Sequence, residues 1–157
     1  VTVSTVVVDL VALLNELVSV VSPLAAQRQL SIEIDMQKDL EARVRGDESR
    51  IRQIVLNLFI NAVKYTKNGG KIIVSLSPAD EAFILHIQDT GIGIKSEDMN
   101  HLFEKFFVGG NASSENHVIG LGLYVCKGLV DLMGGKIWID SVEGRGTVAS
   151  VSLVRAA

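Results

Sequence analysis

A carboxylate followed by two closely spaced glycines, in Asp89-Thr90-Gly91-Ile92-Gly93-Ile94, constrains this chain more than any other feature. Residues 83–88 before it are mostly apolar and predict a strand, so Asp89 lies where a strand leaves its sheet. Glycine adopts backbone conformations that other residues avoid, and it lets a flat ligand approach closely. A carboxylate at this point can accept a hydrogen bond from an amino group such as the exocyclic amine of adenine. A plain turn has the same pattern, so both interpretations stay open here.

The length and composition narrow the class of protein. A chain of 157 residues that is 48% hydrophobic fits a single domain, residues 1–157, with a substantial core. The net charge of −3 and the lack of Lys and Arg clusters argue against a nucleic-acid-binding surface. The lone cysteine, Cys126, excludes an internal disulfide and is typical of a reducing, cytoplasmic compartment. Asp9 and Glu16 interrupt the apolar region 6–21, so no membrane span is expected in this fragment of a longer protein.

The first third of the chain predicts a strand, a helix and a second strand. Residues 5–8 are β-branched, and Asp9 is a suitable N-cap for the helix that follows. Apolar residues recur at helical spacing from Leu10 to Ala25, and Pro23 is expected to kink this helix or mark its last turn. Residues 30–36 then alternate between apolar and polar, which predicts a strand with one solvated face.

A second helix, predicted for residues 48–66 with Asp47 as its cap, carries a narrow polar stripe. At about 100° per residue, Asn57, Asn61 and Lys64 fall on one line along a helix that is otherwise apolar. A polar edge satisfied by backbone or water is one interpretation. The other is a row that faces a cavity holding a metal ion and phosphates, because amide oxygens suit Mg²⁺ and lysine supplies a charge for phosphate.

The second half of the chain predicts four more strands and two more helices. Residues 71–77 and 82–88 read as a hairpin, and Ser96 is expected to cap a short helix. Residues 108–119 lack periodicity and predict a loop, either functional or disordered. Gly120-Leu121-Gly122-Leu123 is expected to open a third helix that runs to about residue 133, and a glycine-rich helix start exposes backbone N–H groups to phosphate. Residues 136–140 and 148–154 predict two closing strands.

Taken together, these stretches resemble the catalytic, ATP-binding domain of sensor histidine kinases, in the superfamily of gyrase, MutL and a chaperone ATPase. The resemblance covers nearly the whole chain and consists of four motifs in the family's order. They are an asparagine box at residues 57–66, a first glycine box at 89–94, a phenylalanine box at 103–106 and a second glycine box at 120–123. Each motif is weak alone, and their order and separation make the match specific.

The resemblance implies a two-layer α/β sandwich of the Bergerat type, in which three main helices cover one face of a mixed sheet. It implies that Asp89 binds the adenine amine, that Asn61 holds Mg²⁺, and that Asn57, Lys64 and Tyr65 line the phosphate side. Backbone amides at the second glycine box would reach the phosphates, and residues 108–119 would form a mobile lid. The remaining residues expected to contact ATP are Gly91, Gly93, Ile94, Lys105, Phe106, Gly120, Leu121, Gly122, Leu123 and Thr147.

The implied activity is a protein histidine kinase that binds Mg-ATP and donates the γ-phosphoryl group to a histidine. That histidine would lie on a separate phosphoacceptor hairpin domain of the parent protein, because neither His86 nor His101 has the expected acidic neighbour. A response-regulator receiver would act downstream. Val118 stands where the family usually has a further glycine, which predicts a stiffer lid hinge and leaves open a degenerate nucleotide-binding module. Asn57 replaces the glutamate base of the hydrolase relatives, so an ATP hydrolase is a weaker alternative.

Overall fold

The computed structural model describes residues 4–104 and 117–156, and it describes the side chains of the third helix from Gly122 onward. Two sheets and three α-helices make up this part of the chain. The elements are, in order, β1 (Val6–Asp9), α1 (Leu10–Gln27), β2 (Ser31–Asp35), β3 (Arg43–Gly46), α2 (Glu48–Tyr65), β4 (Lys71–Pro78), β5 (Ala82–Asp89), a 3-10 helix (Ser96–His101), α3 (His117–Leu132), β6 (Lys136–Val142) and β7 (Gly146–Val154).

Helix α1 forms as its sequence predicts. The Asp9 carboxylate caps it by accepting a hydrogen bond from Ala12 N at 3.1 Å, and Pro23 lies in the last turn before the helix ends at Gln27. By length and composition alone α1 could cross a membrane. A third of it is buried in this structure, and core helices of soluble proteins have the same properties. Its buried residues are Leu10, Leu13, Leu14, Leu17, Val21 and Ala25.

Helix α2 lies at the centre of the core. Asp47 caps it by accepting a hydrogen bond from Arg50 N at 3.3 Å, which confirms the predicted start. Seven of its apolar side chains are almost fully buried and follow the helical period, while Asn57, Asn61 and Lys64 are only half-buried. The buried set is Ile51, Ile54, Val55, Leu58, Phe59, Ala62 and Val63. The polar stripe of the sequence is therefore a real edge of this helix.

The main sheet has five strands in the order β2-β4-β5-β7-β6. Strands β2 and β4 are parallel and the other neighbours are antiparallel, which confirms the predicted mixed sheet packed against helices. Alternate residues of the central strands are buried on the side that packs against the helices. These residues are Ile72, Val74, Leu76, Phe83, Leu85, Ile87, Ala149, Val151 and Leu153. Strands β1 and β3 form a separate antiparallel pair.

Several predicted element boundaries are wrong. Helix α3 begins at His117 instead of Gly120, so residues 117–119 of the expected loop are helical and the second glycine box lies inside the helix. Ser96 does not cap the short helix, because Lys95 occupies the cap position without a side-chain hydrogen bond. Strands β6 and β7 are longer than expected because their hairpin pairs through Val142 and Gly146. The predicted end of α3 is confirmed, with Gly134 at φ +74°.

Candidate functional site

Asp89 lies at the last position of β5, where it is buried with 9% of its surface exposed. One carboxylate oxygen, Oδ1, accepts a hydrogen bond from the backbone N–H of Gly91 at 2.9 Å. A Cβ on Gly91 would lie 2.2 Å from the carbonyl oxygen of Tyr65, so this position has room only for glycine. The strand end, the carboxylate and the first glycine thus form one local unit, as the sequence predicts.

Burial raises the pKa of Asp89 above its ordinary value, and backbone N–H groups of Gly91 and Thr147 oppose part of that shift. The folded chain therefore keeps the proton at pH values where the unfolded chain has already lost it. The contribution of this carboxyl to stability is fully present below its ordinary pKa, and it is lost as the pH rises through the raised pKa. At neutral pH the buried carboxylate costs stability, which is typical of a residue retained for ligand binding.

The glycine loop at residues 91–94 is held between the end of α2 and the β6–β7 hairpin. On one side, Ile92 N donates to Tyr65 O at 3.1 Å. On the other, Gly144 N donates to Ile92 O at 2.7 Å. Gly93 adopts φ +71°, and a Cβ there would lie 2.2 Å from Val142 O. The loop consequently has a defined backbone path that only glycine at 91 and 93 allows.

The same contacts bring the polar stripe of α2 to the glycine loop. Tyr65 is the last residue of α2, so its bond to Ile92 places the final helical turn, with Asn61 and Lys64, beside residues 91–93. Asn57 lies one turn earlier, where its Nδ2 donates to the thiol of Cys126 on α3 at 3.8 Å. The stripe therefore runs from the glycine loop toward α3, and all three polar side chains are half-buried.

The middle of α3 lies against the middle of α2. Cys126 is buried against Ile54 and Asn57, and Gly122 precedes it by one helical turn, about 6 Å along the axis. A Cβ on Gly122 would meet no described atom within 4 Å, so this side of the helix is open in the described structure. Leu123 is buried in the core. Gly120 and Leu121 also belong to α3, and the structure describes only their backbone.

Thr147 stands directly opposite Asp89 across the β5–β7 pair, so the residue predicted near the base lies beside the carboxylate. Lys105 and Phe106 lie outside the described residues, as do residues 108–116 of the predicted lid. Among the described side chains, those of residues 4–104 and 122–156, no three His, Cys, Asp or Glu residues group as a metal site. The half-buried amide of Asn61 fits Mg²⁺, which takes one or two protein oxygens and completes its shell with phosphate and water.

Sequence reasoning missed Ser141 of β6, which bonds to the glycine loop. Its hydroxyl oxygen accepts a hydrogen bond from Ile94 N at 2.8 Å and lies 2.9 Å from the Thr147 hydroxyl. Only its place just before the glycine-containing turn 142–146 distinguishes it in the sequence, and many surface serines have such a place. The role of Ser141 becomes visible only when its strand pairs with distant parts of the chain in the folded structure.

Comparison with known proteins gives the family of the chain. The profile of the histidine kinase-, DNA gyrase B- and HSP90-like ATPase family matches residues 46–157. The sensor protein GacS of Pseudomonas syringae pv. syringae is 35% identical over 147 residues, which cover 90% of this chain and 16% of GacS. The chain thus spans about a sixth of that relative.

Solved structures show the same fold. The nucleotide-free catalytic domain of histidine kinase ThkA has a TM-score of 0.84 at 24% identity, covering 98% of this chain and 99% of its own. Full-length ShkA in complex with AMPPNP has a TM-score of 0.85 at 28% identity, covering 100% of this chain and 33% of ShkA. The chain therefore belongs to the histidine kinase-, DNA gyrase B- and HSP90-like ATPase family, within which it is a catalytic ATP-binding domain of the sensor histidine kinase type.

Proposed function

We propose that this domain binds Mg-ATP and transfers the γ-phosphoryl group to a histidine on a separate phosphoacceptor domain of its parent protein. The observation that carries the proposal is the buried carboxylate of Asp89 at the head of a glycine loop that is bonded to the last turn of α2. This contact joins a hydrogen-bond acceptor for a base to a row of amides and an ammonium suited to phosphates and a hard cation.

Asp89 accepts a hydrogen bond from the 6-amino group of adenine, and Gly91, Gly93, Ile94 and Thr147 surround the base. Because Asp89 is buried, its hydrogen bond to the base forms away from competing water and carries more weight than a surface contact. Hydrogen bonds from α2 and from the β6–β7 hairpin hold residues 91–94 in place before the nucleotide arrives. Binding therefore costs little free energy for ordering this loop.

On the phosphate side, Asn61 supplies the protein oxygen for Mg²⁺, while Lys64, Asn57 and Tyr65 contact the phosphates. When bound, Mg²⁺ neutralises charge on the β- and γ-phosphates. Gly120 is the fourth residue of α3 and so lies at the end of the helix whose dipole favours anions. Gly122 keeps the adjoining side of the helix open. Lys105, Phe106, Leu121 and Leu123 complete the proposed site by family resemblance.

In the transfer, a ring nitrogen of the acceptor histidine forms a bond to the γ-phosphorus as the bond to the bridging β–γ oxygen breaks, and ADP leaves. This chain positions the donor, and positioning with charge neutralisation supplies most of the catalysis in such reactions. Hydrolysis needs a base to activate water. Asn57 has no basic group, and burial raises the pKa of its neighbour Cys126 to about 11, so neither takes up a proton from water at neutral pH.

The proposed partners are the acceptor hairpin domain and, after it, a response-regulator receiver, with the domain located in the cytoplasm. The test is incubation with γ-labelled ATP and Mg²⁺, with and without the acceptor hairpin of the parent protein. We expect label on the hairpin only when both proteins are present, and loss of label with Asp89→Ala or Asn61→Ala. The matched control Gly128→Ala lies on the exposed face of α3 and should transfer normally.

Fast release of phosphate without the hairpin would place the chain with the ATP hydrolases. Tight ATP binding without transfer to the hairpin would identify a nucleotide-binding regulatory module. Equal ATP affinity in wild type, Asp89→Ala and Asn61→Ala would show that the nucleotide binds elsewhere.

A further inference from the structure

Three polar side chains lie in one row across the end of the main sheet. The strand register pairs Asp89 with Thr147, and Thr147 with Ser141 on β6. Cross-strand partners share a face, and this face is the one that carries the buried residues Ile87 and Ala149. The row therefore points to the helix layer, next to the glycine loop, and Ser141 is the member farthest from Asp89.

The hydroxyl of Ser141 has three polar contacts. It accepts from Ile94 N at 2.8 Å, it donates to Gly146 O at 3.0 Å, and it lies 2.9 Å from Thr147 Oγ1. A serine hydroxyl has one hydrogen and two lone pairs. The hydrogen goes to Gly146 O and one lone pair to Ile94, so the contact with Thr147 uses the second lone pair. Thr147 must then be the donor in that contact.

Because the hydrogen of the Thr147 hydroxyl is used in this contact, the hydroxyl can only accept a hydrogen bond from a ligand. The neighbouring Asp89 carboxylate is already an acceptor, and the backbone N–H of Thr147 donates to it. Two acceptors thus stand side by side at the end of the sheet. A ligand edge that meets them must offer N–H groups, as the 6-amino group of adenine does. A 6-oxo purine offers only its N1–H beside a third acceptor at position 6, so at least one of the buried acceptors stays unpaired.

We propose that Ser141 is a positioning residue that keeps Thr147 a hydrogen-bond acceptor and so favours 6-amino over 6-oxo purine nucleotides. The proposal rests on the proposed function, because it needs the base at Asp89. In Ser141→Ala, Thr147 has no partner for its hydrogen, so its hydroxyl rotates freely and can donate to a 6-oxo group.

The test is the dissociation constant of ATP and of inosine triphosphate, its 6-oxo analogue, measured by calorimetry. For Ser141→Ala we expect ATP affinity to fall about tenfold while inosine triphosphate affinity holds or improves. Ser141→Thr keeps the hydroxyl and should restore most of the selectivity. Ser152→Ala is the matched control: its hydroxyl accepts from Lys136 N at 3.0 Å at the far end of the same hairpin, and its removal should leave both constants unchanged.

A purely structural role for Ser141 predicts equal losses for the two nucleotides, so an unchanged ratio of their affinities in Ser141→Ala would overturn the proposal. If that variant does not fold, Thr147→Val tests the proposal instead. Removal of the acceptor oxygen should weaken the binding of ATP and leave the binding of inosine triphosphate unchanged. The same dissociation constants are measured for wild type and for Asp89→Ala. Equal ATP binding by those two would overturn the proposed function together with this inference, whereas weaker binding by Asp89→Ala with an unchanged Ser141→Ala ratio would overturn the inference alone.

Discussion

The replacement Gly91→Ala tests whether the glycine loop is held by steric fit against α2. Gly91 does not adopt a positive φ, so alanine meets no backbone strain there. The added Cβ would instead lie 2.2 Å from Tyr65 O and 2.8 Å from Asp89 Oδ1. Tyr65 cannot move easily, because it ends a helix that is packed in the core and its carbonyl accepts the Ile92 N–H. The Asp89 carboxylate is held in turn by its hydrogen bond from Gly91 N.

The expected cost follows from two effects. Overpacking at a rigid site costs about 1–3 kcal/mol of unfolding free energy. Displacement of the loop breaks the Ile92–Tyr65 hydrogen bond and adds about 0.5–1.5 kcal/mol. The sum, roughly 1.5–4.5 kcal/mol, corresponds for a chain of this size to a melting temperature lower by roughly 3–18 °C.

The assay is thermal unfolding without nucleotide, followed by circular dichroism, with Gly128→Ala as the control. Gly128 lies inside α3, where a Cβ would meet no atom within 4 Å, so alanine should raise stability by about 0.5–1 kcal/mol through helix propensity. The two Gly→Ala changes should thus shift the melting temperature in opposite directions. Gly91→Ala melting within about 1 °C of wild type would refute the steric reasoning, since the clash would then be relieved at no cost.

Three further predictions concern the polar groups. Asp89→Asn keeps an oxygen for the Gly91 N–H but removes the buried charge. At neutral pH it should match or exceed the wild-type melting temperature while ATP affinity falls at least about tenfold, and its advantage should shrink as the pH falls through the raised pKa of Asp89. Greater stability of wild type at neutral pH would contradict this. Asn61→Ala should abolish the gain in ATP affinity that Mg²⁺ gives, while its ATP affinity in EDTA should stay within about twofold of wild type. An unchanged response to Mg²⁺ would show that another residue binds the metal. Because burial raises the pKa of Cys126 to about 11, the thiol should resist maleimide at pH 8 in the folded protein and react in urea, so rapid labelling of folded protein would be inconsistent with its position.

Much of the fold and the outline of the site were predictable from local sequence. Period and capping identify α1 and α2, because Asp9 and Asp47 satisfy N–H groups within their own first turns. The alternation in β4 and β5 predicts the hairpin and places Asp89 at a strand end. The stripe of Asn57, Asn61 and Lys64 needs only the helical period, and the order of the four motifs indicates the family. All these features depend on residues close together in the chain.

Other features depend on residues that meet only after the layers pack. That Gly91 must be glycine depends on the carbonyl of Tyr65, and the path of Gly93 depends on Val142. The contact of Asn57 with Cys126 joins residues on two helices. The role of Ser141 needs the register of three strands, because a shift by one residue would turn its hydroxyl to the opposite face. Helical period and capping are local properties of a chain, whereas hydrogen bonding between distant segments is set by register and packing, and these exist only in the folded molecule.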